Sequence, residues 1–351
     1  MTKELSVLAI VEATAARRRA RRAFIKTAAS GVAAVGGLSL LAACGDDDDA
    51  MSVPFPTPTP TPPATAVSTD VAVLNFALNL EYLEAQFYSY AAFNTGLSPS
   101  LLTGTGTQGA VITGTGDGFP RGVNFVGEEL IGQYAREIAR DEIAHVTFLR
   151  SALGSAAVAQ PAIDISGTAS GAFTAAARAA GVVPMDGLFD PYASPINFLL
   201  AAYIFEDIGV TAYKGASPVI SAMYLDAAAG ILAAEAYHAG LVRSILYSRG
   251  ITNTDLITAT TQISAARDLL DGSGGGTAGD TDDGIAGTNI GKSNAVSNIV
   301  PADANAIAYS RTVQQVHNIA YLNLKGANRT RGGFFPAGTN NPNPAFTVGL
   351  G

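Results

Sequence analysis

The chain has 351 residues, of which 48% are hydrophobic and 14% are charged, a composition typical of a folded globular protein and not of a disordered chain. Its single cysteine excludes a disulfide framework and any multi-cysteine metal site within one chain. The formal net charge of -8 argues against non-specific binding to nucleic acid, so no nucleic-acid partner is expected.

The N-terminal segment has the layout of an export signal. Residues 1–43 hold seven Lys or Arg side chains and two acids, and they end in an uncharged run of mainly small and apolar residues from 27 to 43. That run is too short and too rich in glycine to be a convincing membrane span. Within the basic part, Arg21-Arg22-Ala23-Phe24-Ile25-Lys26 resembles the twin-arginine consensus of bacterial export. The resemblance implies that the twin-arginine export machinery is a partner of the chain.

The apolar run ends at the only cysteine. Leu41-Ala42-Ala43-Cys44 resembles a bacterial lipobox, whose cysteine is lipidated and becomes the new N-terminus. This resemblance implies an exported lipoprotein, anchored to a membrane in the periplasm or on the cell surface. The alternative is that Cys44 is only a small apolar residue at the end of the run. Residues 44–69, with four aspartates and a Pro/Thr repeat, are predicted to form an extended tether.

Helical periodicity of apolar residues predicts four long helices in the rest of the chain, at residues 70–92, 126–152, 195–213 and 218–249. Residues 94–122 are predicted to be a long loop, and a short helix is expected at 171–180. After the fourth helix, a Gly/Asp/Thr-rich loop at 272–298 precedes a predicted fifth helix at 302–324 and an irregular tail. The predicted parts of the chain are the export signal, the tether, the helical bundle and a C-terminal extension, at residues 1–43, 44–69, 70–250 and 251–351.

Two histidines follow a glutamate at the same helical spacing. Glu142 precedes His145 in the second predicted helix, and Glu235 precedes His238 in the fourth. A separation of three residues places both side chains of a pair on one face of a helix, and in both helices that face is the apolar one. Carboxylates and imidazoles in a bundle core are costly unless they are paired, protonated or bound to metal. The alternative is that both histidines are satisfied core residues and the acids are surface charges.

The other two long helices each add a glutamate, Glu81 in the first and Glu206 in the third. One glutamate from each of two helices and one Glu-x-x-His pair from each of the other two form the ligand set of di-iron or di-manganese carboxylate bundles. Four carboxylates balance the charge of two divalent ions, and carboxylate with imidazole favours iron or manganese, with zinc as an alternative. The predicted cofactor is two iron or manganese ions. The predicted metal ligands are Glu81, Glu142, His145, Glu206, Glu235 and His238.

Several neighbouring polar residues have other expected roles. Glu84 lies one helical turn after Glu81 and is an alternative ligand, or else a hydrogen-bonding partner of the ligands. Glu137, Asp141 and Asp207 point about 100° or more away from the adjacent inward positions. They are therefore expected to be solvated or paired with Arg136 and Arg140. His317 has no glutamate three residues before it and is expected to be a surface or satisfied histidine.

With these residues placed, the chain resembles the ferritin-like domain family, which includes bacterial exported proteins and plant desiccation-related proteins. The resemblance is carried by the two Glu-x-x-His pairs, by the segment from Leu74 to Tyr88 (LNFALNLEYLEAQFY) and, more loosely, by Phe335-Pro336-Ala337-Gly338. It implies an all-α fold: a ferritin-like up-down four-helix bundle with a long crossover, followed by the extra C-terminal helix and the irregular tail. It also favours Glu81 over Glu84, because Tyr88 follows at the spacing of ferritin-like first helices, where that tyrosine hydrogen-bonds near the metals.

The activity of this family is poorly defined, so the resemblance implies a site more firmly than a reaction. We expect a binuclear centre that reacts with dioxygen or hydrogen peroxide, as ferroxidase-, rubrerythrin- or manganese-catalase-like oxidoreductases do, with Glu206 and one Glu-x-x-His glutamate bridging the ions. The alternative is a membrane-tethered stress or desiccation-related structural protein without turnover. A lipid anchor, a tether and a long loop disfavour a closed storage cage, and the sequence leaves a homo-oligomer open.

Overall fold

The computed structural model describes residues 67–114, 122–273, 281–289, 292–324, 326–327 and 329–350. The predicted twin-arginine motif, Cys44 and the proline-rich part of the tether lie outside these residues. Two-residue strands, β1 (Val111–Ile112) and β2 (Ile163–Asp164), pair in parallel with Val111 opposite Ile163. The long regular elements of the described residues are helices. Its α-helices are α1 (Thr69–Phe93), α2 (Glu129–Leu153), α3 (Ala172–Ala180), α4 (Pro195–Ala216), α5 (Ala222–Gly250), α6 (Thr254–Asp271) and α7 (Val313–Ala320).

The four long helices α1, α2, α4 and α5 form an up-down bundle. The backbone amide of Val123, shortly before α2, donates a hydrogen bond of 2.8 Å to the carbonyl of Ala91 near the end of α1. At the opposite end, the amide of Ser221 before α5 donates to Oδ1 of Asp70 at the start of α1, also at 2.8 Å. The connection from α2 to α4, which contains β2 and α3, therefore returns the chain along the length of the bundle. The expected all-α ferritin-like bundle with a long crossover is confirmed.

α1 is buried on almost all sides, and its buried amide side chains hold the connecting segments. Asn79 Nδ2 donates to the carbonyl of Asn340 in the tail at 2.8 Å, and the amide of Asn340 donates back to Asn79 Oδ1 at 3.1 Å. Asn75 Oδ1 accepts the amide of Val158 in the crossover at 2.9 Å. Because buried polar groups need partners, these side chains fix the crossover and the tail against the bundle.

α4 is the apolar core helix of the bundle. It begins with Pro195 after Ser194, whose hydroxyl accepts the amide of Asn197 at 3.1 Å, so an N-cap and a first-turn proline mark its start. Among the described helices, α4 alone is long and apolar enough to cross a membrane by length and composition. Within its most apolar stretch, 83% is buried against the rest of the protein, as expected for a helix in a core.

The chain after α4 differs in places from the sequence prediction. The predicted fourth helix starts at Pro218, whereas α5 begins at Ala222 and Pro218 lies in the turn before it. The sequence pattern does not predict α6, because the buried face of α6 mixes apolar residues with Arg267, Asp268 and Asp271. Buried charges of this kind hide the apolar periodicity by which a helix is recognised.

The predicted fifth helix is shorter than expected. Instead of residues 302–324, α7 covers Val313–Ala320 and starts with a capping box formed by Thr312 and Gln315. His317 on α7 is buried, and its Nε2 lies 3.1 Å from Oγ1 of Thr339. Burial lowers the pKa of His317 to about 4, so the imidazole is neutral. The expectation of a satisfied histidine is confirmed.

Candidate metal centre

The six predicted ligand residues meet in the interior of the bundle, although they come from four helices. They form two groups, and within each group the ligand atoms lie within 4.8 Å of one another. The first group is Glu81, Glu142, His145 and Glu235, and the second is Glu206, Glu235 and His238. Two adjoining groups that share a carboxylate are the arrangement that a pair of neighbouring cations needs.

The first group surrounds the ring of His145. Its Nδ1 lies 3.1 Å from Oε2 of Glu81, 3.3 Å from Oε2 of Glu142 and 3.7 Å from Oε1 of Glu235. The His145 side chain is 12% exposed, and the three carboxylates are almost completely buried. One ring nitrogen thus faces three carboxylates at a place from which bulk water is excluded.

The ring of His238 stands in a similar relation to the second group. Its Nδ1 lies 3.1 Å from Oε1 of Glu142 and 3.6 Å from Oε2 of Glu206. Glu142 therefore reaches one histidine with each carboxylate oxygen, and Glu235 belongs to both groups. The two groups are the two halves of the centre, and the glutamates of the two Glu-x-x-His pairs lie between these halves. Glu206 lies in one half only. This position differs from the expectation that Glu206 bridges the two ions.

Two tyrosines contact Glu81 and Glu206 from across the bundle. We call these two residues the outer glutamates, because each belongs to only one half of the centre. The hydroxyl of Tyr88 on α1 donates to Oε1 of Glu206 on α4, and the hydroxyl of Tyr213 on α4 donates to Oε1 of Glu81 on α1. Each tyrosine follows the glutamate of its own helix by seven residues, so α1 and α4 exchange equivalent hydrogen bonds. Sequence reasoning singled out Tyr88 and missed Tyr213, which the same spacing after Glu206 would have identified.

Glu84, the alternative ligand on α1, is buried near the centre but belongs to neither group. Glu81 contacts a ligand histidine directly, at 3.1 Å from His145. Of the two α1 glutamates, the geometry therefore favours Glu81 as the ligand.

Several atoms of the centre lack a hydrogen bond of good geometry within the described part of the chain. They are Oε1 of Glu142, Oε2 of Glu206, both carboxylate oxygens of Glu235 and Nδ1 of His238. Buried polar atoms are nearly always partnered, so five such atoms at one point indicate a missing cationic partner. On α4, a Cβ at Gly209 would overlap Oε2 of Glu235, so this glycine leaves room for the carboxylate. The residues present fit a pair of metal ions.

Without metal, the centre is a coupled set of acids and bases. Burial raises the pKa of Glu81 to about 7 and that of Glu206 to about 8. Burial also acts to raise the pKa of Glu142, but the hydrogen bonds and charges of the two imidazoles outweigh it and hold that pKa below its usual range. For the imidazoles, burial acts to lower the pKa, but nearby carboxylates outweigh it and raise the pKa of His145 to about 11 and of His238 to about 10. Cations that bind here must displace protons.

A cleft between α2 and α5 leads from the surface to His238. Its volume is about 650 Å³, and Glu137, Asp141 and Tyr237 contribute to its lining. Oδ2 of Asp141 lies 3.2 Å from Nε2 of His238, the ring nitrogen opposite the ligand carboxylates. The Asp141 side chain is 48% exposed, so the expectation of a solvated acid holds, but it also contacts a ligand histidine. Such a contact fixes the orientation of the ring.

The expectation that Asp207 is solvated or paired with Arg136 and Arg140 is wrong, because Asp207 is buried and its partners are two other arginines. Its buried carboxylate accepts hydrogen bonds from Arg243 at 2.8 Å and from Arg267 at 2.9 Å. The C-terminal extension, which includes α6, covers this face of α4. The face is therefore buried and does not meet solvent. The buried side chains that form this arginine–aspartate cluster are Asp207, Arg243, Arg267, Asp271, Asp282 and Arg311.

Comparisons with known proteins agree with this architecture. A family profile described as a ferritin-like domain matches residues 69–248. The chain is 32% identical over 261 residues to the desiccation-related protein PCC13-62 of Craterostigma plantagineum, covering 70% of this chain and 76% of that protein. It is 26% identical over 286 residues to the ferritin-like catalase Nec2 of Nesocodon mauritianus, covering 77% and 83%. No solved structure matches the chain significantly. The chain belongs to the ferritin-like domain family.

Proposed function

We propose that the protein binds two iron or manganese ions at the six-residue centre and consumes hydrogen peroxide there. The observation that supports this most is the meeting of four carboxylates and two imidazoles at one buried point, where several of their atoms lack a hydrogen bond of good geometry. Oxygen and imidazole donors favour iron or manganese over softer ions. Four ionised carboxylates balance two divalent cations, so the loaded interior would carry no excess charge.

The residues of the centre would share the task of holding the ions. Glu142 and Glu235 face both halves of the centre and would be ligands of both ions. In addition, Glu81 and His145 would bind one ion, and Glu206 and His238 would bind the other. Tyr88 and Tyr213 hold the outer glutamates in place by hydrogen bonds to their carboxyl oxygens. Bound iron or manganese supplies the one-electron chemistry that these side chains lack.

Peroxide is the favoured reactant for two reasons. One relative of the chain is named a ferritin-like catalase. In addition, the cleft between α2 and α5 offers a small polar molecule a path to His238. In a catalase reaction peroxide serves as both oxidant and reductant and yields water and dioxygen, so the reaction needs no separate electron donor.

Elemental analysis and dioxygen release from added peroxide test the proposal. The natural chain is expected to contain iron or manganese and to release dioxygen. Glu142→Gln and His238→Ala are expected to lose metal and activity together, because each removes an atom that faces the proposed ions. Asp226→Asn changes an exposed acid on α5 and serves as the control, which is expected to keep both the metal and the activity. A metal-loaded natural chain that leaves peroxide unchanged would contradict the proposed reaction.

A second candidate function is a structural role in desiccation or stress, without turnover. The 32% identity to a protein named desiccation-related favours it. In that case bound metal would serve stability alone. Metal removal would then lower the thermal unfolding temperature, while the loaded protein would consume no peroxide. The same two measurements separate the two candidates.

Export and anchoring belong to the proposal as well. The twin-arginine motif at residues 21–26 and the lipobox at residues 41–44 support export of the chain and lipidation of Cys44, in the periplasm or on the cell surface. Cys44→Ser is expected to move the protein from the membrane fraction to the soluble fraction. Replacement of Arg21 and Arg22 by lysine is expected to retain it in the cytoplasm. An unchanged distribution in either variant would contradict the corresponding step.

A further inference from the structure

One buried carboxyl beside the metal centre is not needed to hold two divalent ions. Glu84 on α1 is only 5% exposed and belongs to neither ligand group. Its carboxyl makes no hydrogen bond or ion pair with any residue that the structure describes. Burying a carboxyl group costs stability, so its presence at this position calls for a reason other than packing.

The surroundings of Glu84 place it against the centre. It lines a cavity of about 30 Å³ between α1, α4 and α7, and the other residues that line this cavity are apolar or glycine. One of them is Gly209, the residue against which the carboxylate of Glu235 lies. The cavity therefore adjoins the ligand set.

Charge balance distinguishes the four ligand carboxylates from Glu84. The four suffice for two divalent ions. When a molecule of hydrogen peroxide takes two electrons from the ions and two protons from its surroundings, two water molecules form and the positive charge of the ion pair rises by two. An additional carboxylate close to the ions stabilises that more positive state and contributes little to the divalent one. Burial and the like charges of Glu142 and Glu206 raise the pKa of Glu84, and nearby positive charge acts in the opposite direction.

We propose that Glu84 is the charge-balancing carboxylate of this centre, which stabilises the trivalent ions and thereby sets the reduction potential of the metal pair. This inference rests on the proposed metal centre. Glu84 influences the ions through its negative charge. It is not a ligand of the divalent ions and is not needed to bind them.

The test uses the whole folded chain loaded with Fe²⁺ under anaerobic conditions. Iron per chain is measured by elemental analysis, and the midpoint potential by spectroelectrochemical titration. Glu84→Gln is expected to keep its iron and to show a more positive midpoint potential than the natural chain, because the trivalent state loses a compensating charge. Glu84→Asp keeps the charge and is expected to lie closer to the natural chain. Asp226→Asn removes an exposed acid and is expected to leave the potential unchanged.

Should Glu84→Gln fail to fold, Glu84→Met carries the same expectation, because methionine is similar in length and needs no hydrogen-bond partner. A midpoint potential that does not move in the charge-removing variant overturns the inference. Loss of iron from Glu84→Gln also overturns it, since Glu84 would then be a ligand of the divalent ions. A natural chain that binds neither iron nor manganese overturns both this inference and the proposed function, whereas unchanged potentials in an iron-loaded chain overturn this inference alone.

Discussion

α4 separates two buried polar regions that handle charge in opposite ways. Glu206 faces the metal centre, and the next residue, Asp207, faces the arginine–aspartate cluster. In the cluster, aspartates lie against arginines: Arg311 donates to Asp271 at 2.8 Å and to Asp282 at 2.9 Å. In the centre, acids outnumber bases, and several carboxylate oxygens lack a hydrogen bond of good geometry within the described part of the chain. The cluster pairs three arginines with three aspartates, whereas in the centre four carboxylates face only two imidazoles. A structural role therefore fits the first and a cation-binding role the second.

The cluster also joins the bundle to the C-terminal extension. Arg243 donates to the backbone carbonyls of Asp283 at 3.0 Å and Asn298 at 2.7 Å, both beyond α6. The guanidinium groups of Arg243 and Arg267 lie 5.4 Å and 4.8 Å from the ring centroid of Tyr203 on α4. Contacts of this kind fix one segment to another, so the cluster is expected to determine stability and to leave metal binding unaffected.

The largest expected effect comes from breaking the cluster. Arg311→Met leaves Asp271 and Asp282 buried without that arginine, and loss of one partner from a buried ion pair costs about 3 to 5 kcal/mol. Chemical denaturation should show this loss with and without metal. Arg249→Met, which breaks an exposed pair with Glu128, is the control and should cost far less, because solvent screens an exposed ion pair. Equal losses in the two variants would contradict a structural role for the cluster.

The same kind of substitution in the centre should behave differently. Glu235→Gln removes a carboxylate whose oxygens make no hydrogen bond of good geometry, so the metal-free protein should lose little stability. The gain in stability on adding Mn²⁺ or Fe²⁺ should disappear, a difference of about 2.7 kcal/mol at a metal concentration 100 times the Kd. Thermal unfolding with and without metal measures both effects. A metal-dependent gain that survives in Glu235→Gln would contradict the assignment.

The pH dependence of stability should distinguish the loaded and metal-free centres. In the metal-free fold the pKa values of Glu81 and Glu206 are about 7 and 8, above the 4.5 of an unfolded glutamate, and those of both imidazoles are above 6.5. The folded state therefore holds more protons than the unfolded state between about pH 5 and pH 9. Its stability should fall as the pH rises, by about 1.4 kcal/mol per pH unit for each group that differs.

Metal binding should show the opposite trend, because ions displace the same protons. Urea unfolding at several pH values, with and without Mn²⁺, measures both trends. The stabilisation by metal should grow with pH while the metal-free stability declines. A metal-free stability that rises over this range would show that the buried carboxyls are not protonated in the fold.

The smallest expected effect concerns the crossed tyrosines. Tyr213→Phe removes the hydrogen bond to Glu81 without creating a large cavity, and loss of such a partner weakens metal binding about tenfold. Tyr88→Phe should have a similar effect, because Tyr88 holds Glu206 in the equivalent way. Competition with a metal-binding dye measures the change. Affinity that is unchanged in both variants would show that the tyrosines only pack.

The bundle and its ligand set could be predicted from the sequence because their signals are local. Glu142 with His145 and Glu235 with His238 are three residues apart, so helix geometry alone places each pair on one face. The apolar residues around them show that this face is inward. The outer glutamates follow from the expected ligand set, and the structure brings all six residues together.

The arginine–aspartate cluster could not be predicted in the same way. The partners of Asp207 are Arg243 and Arg267, which lie on other helices, and nothing local to Asp207 identifies them. The prediction from the sequence also placed in solvent the helix faces that point away from the metal ligands, such as the face of α4 that carries Asp207. The C-terminal extension covers one such face, and its helix α6 is hard to recognise because buried charges interrupt its apolar pattern.

The metal content of the chain matured through its own export pathway tests the central claim most directly. Elemental analysis should find two iron or manganese ions per natural chain and a clear loss in Glu235→Gln, with Arg249→Met unchanged. A natural chain that carries no metal, and whose stability does not respond to added Fe²⁺ or Mn²⁺, would contradict the assignment of the buried centre as a metal site.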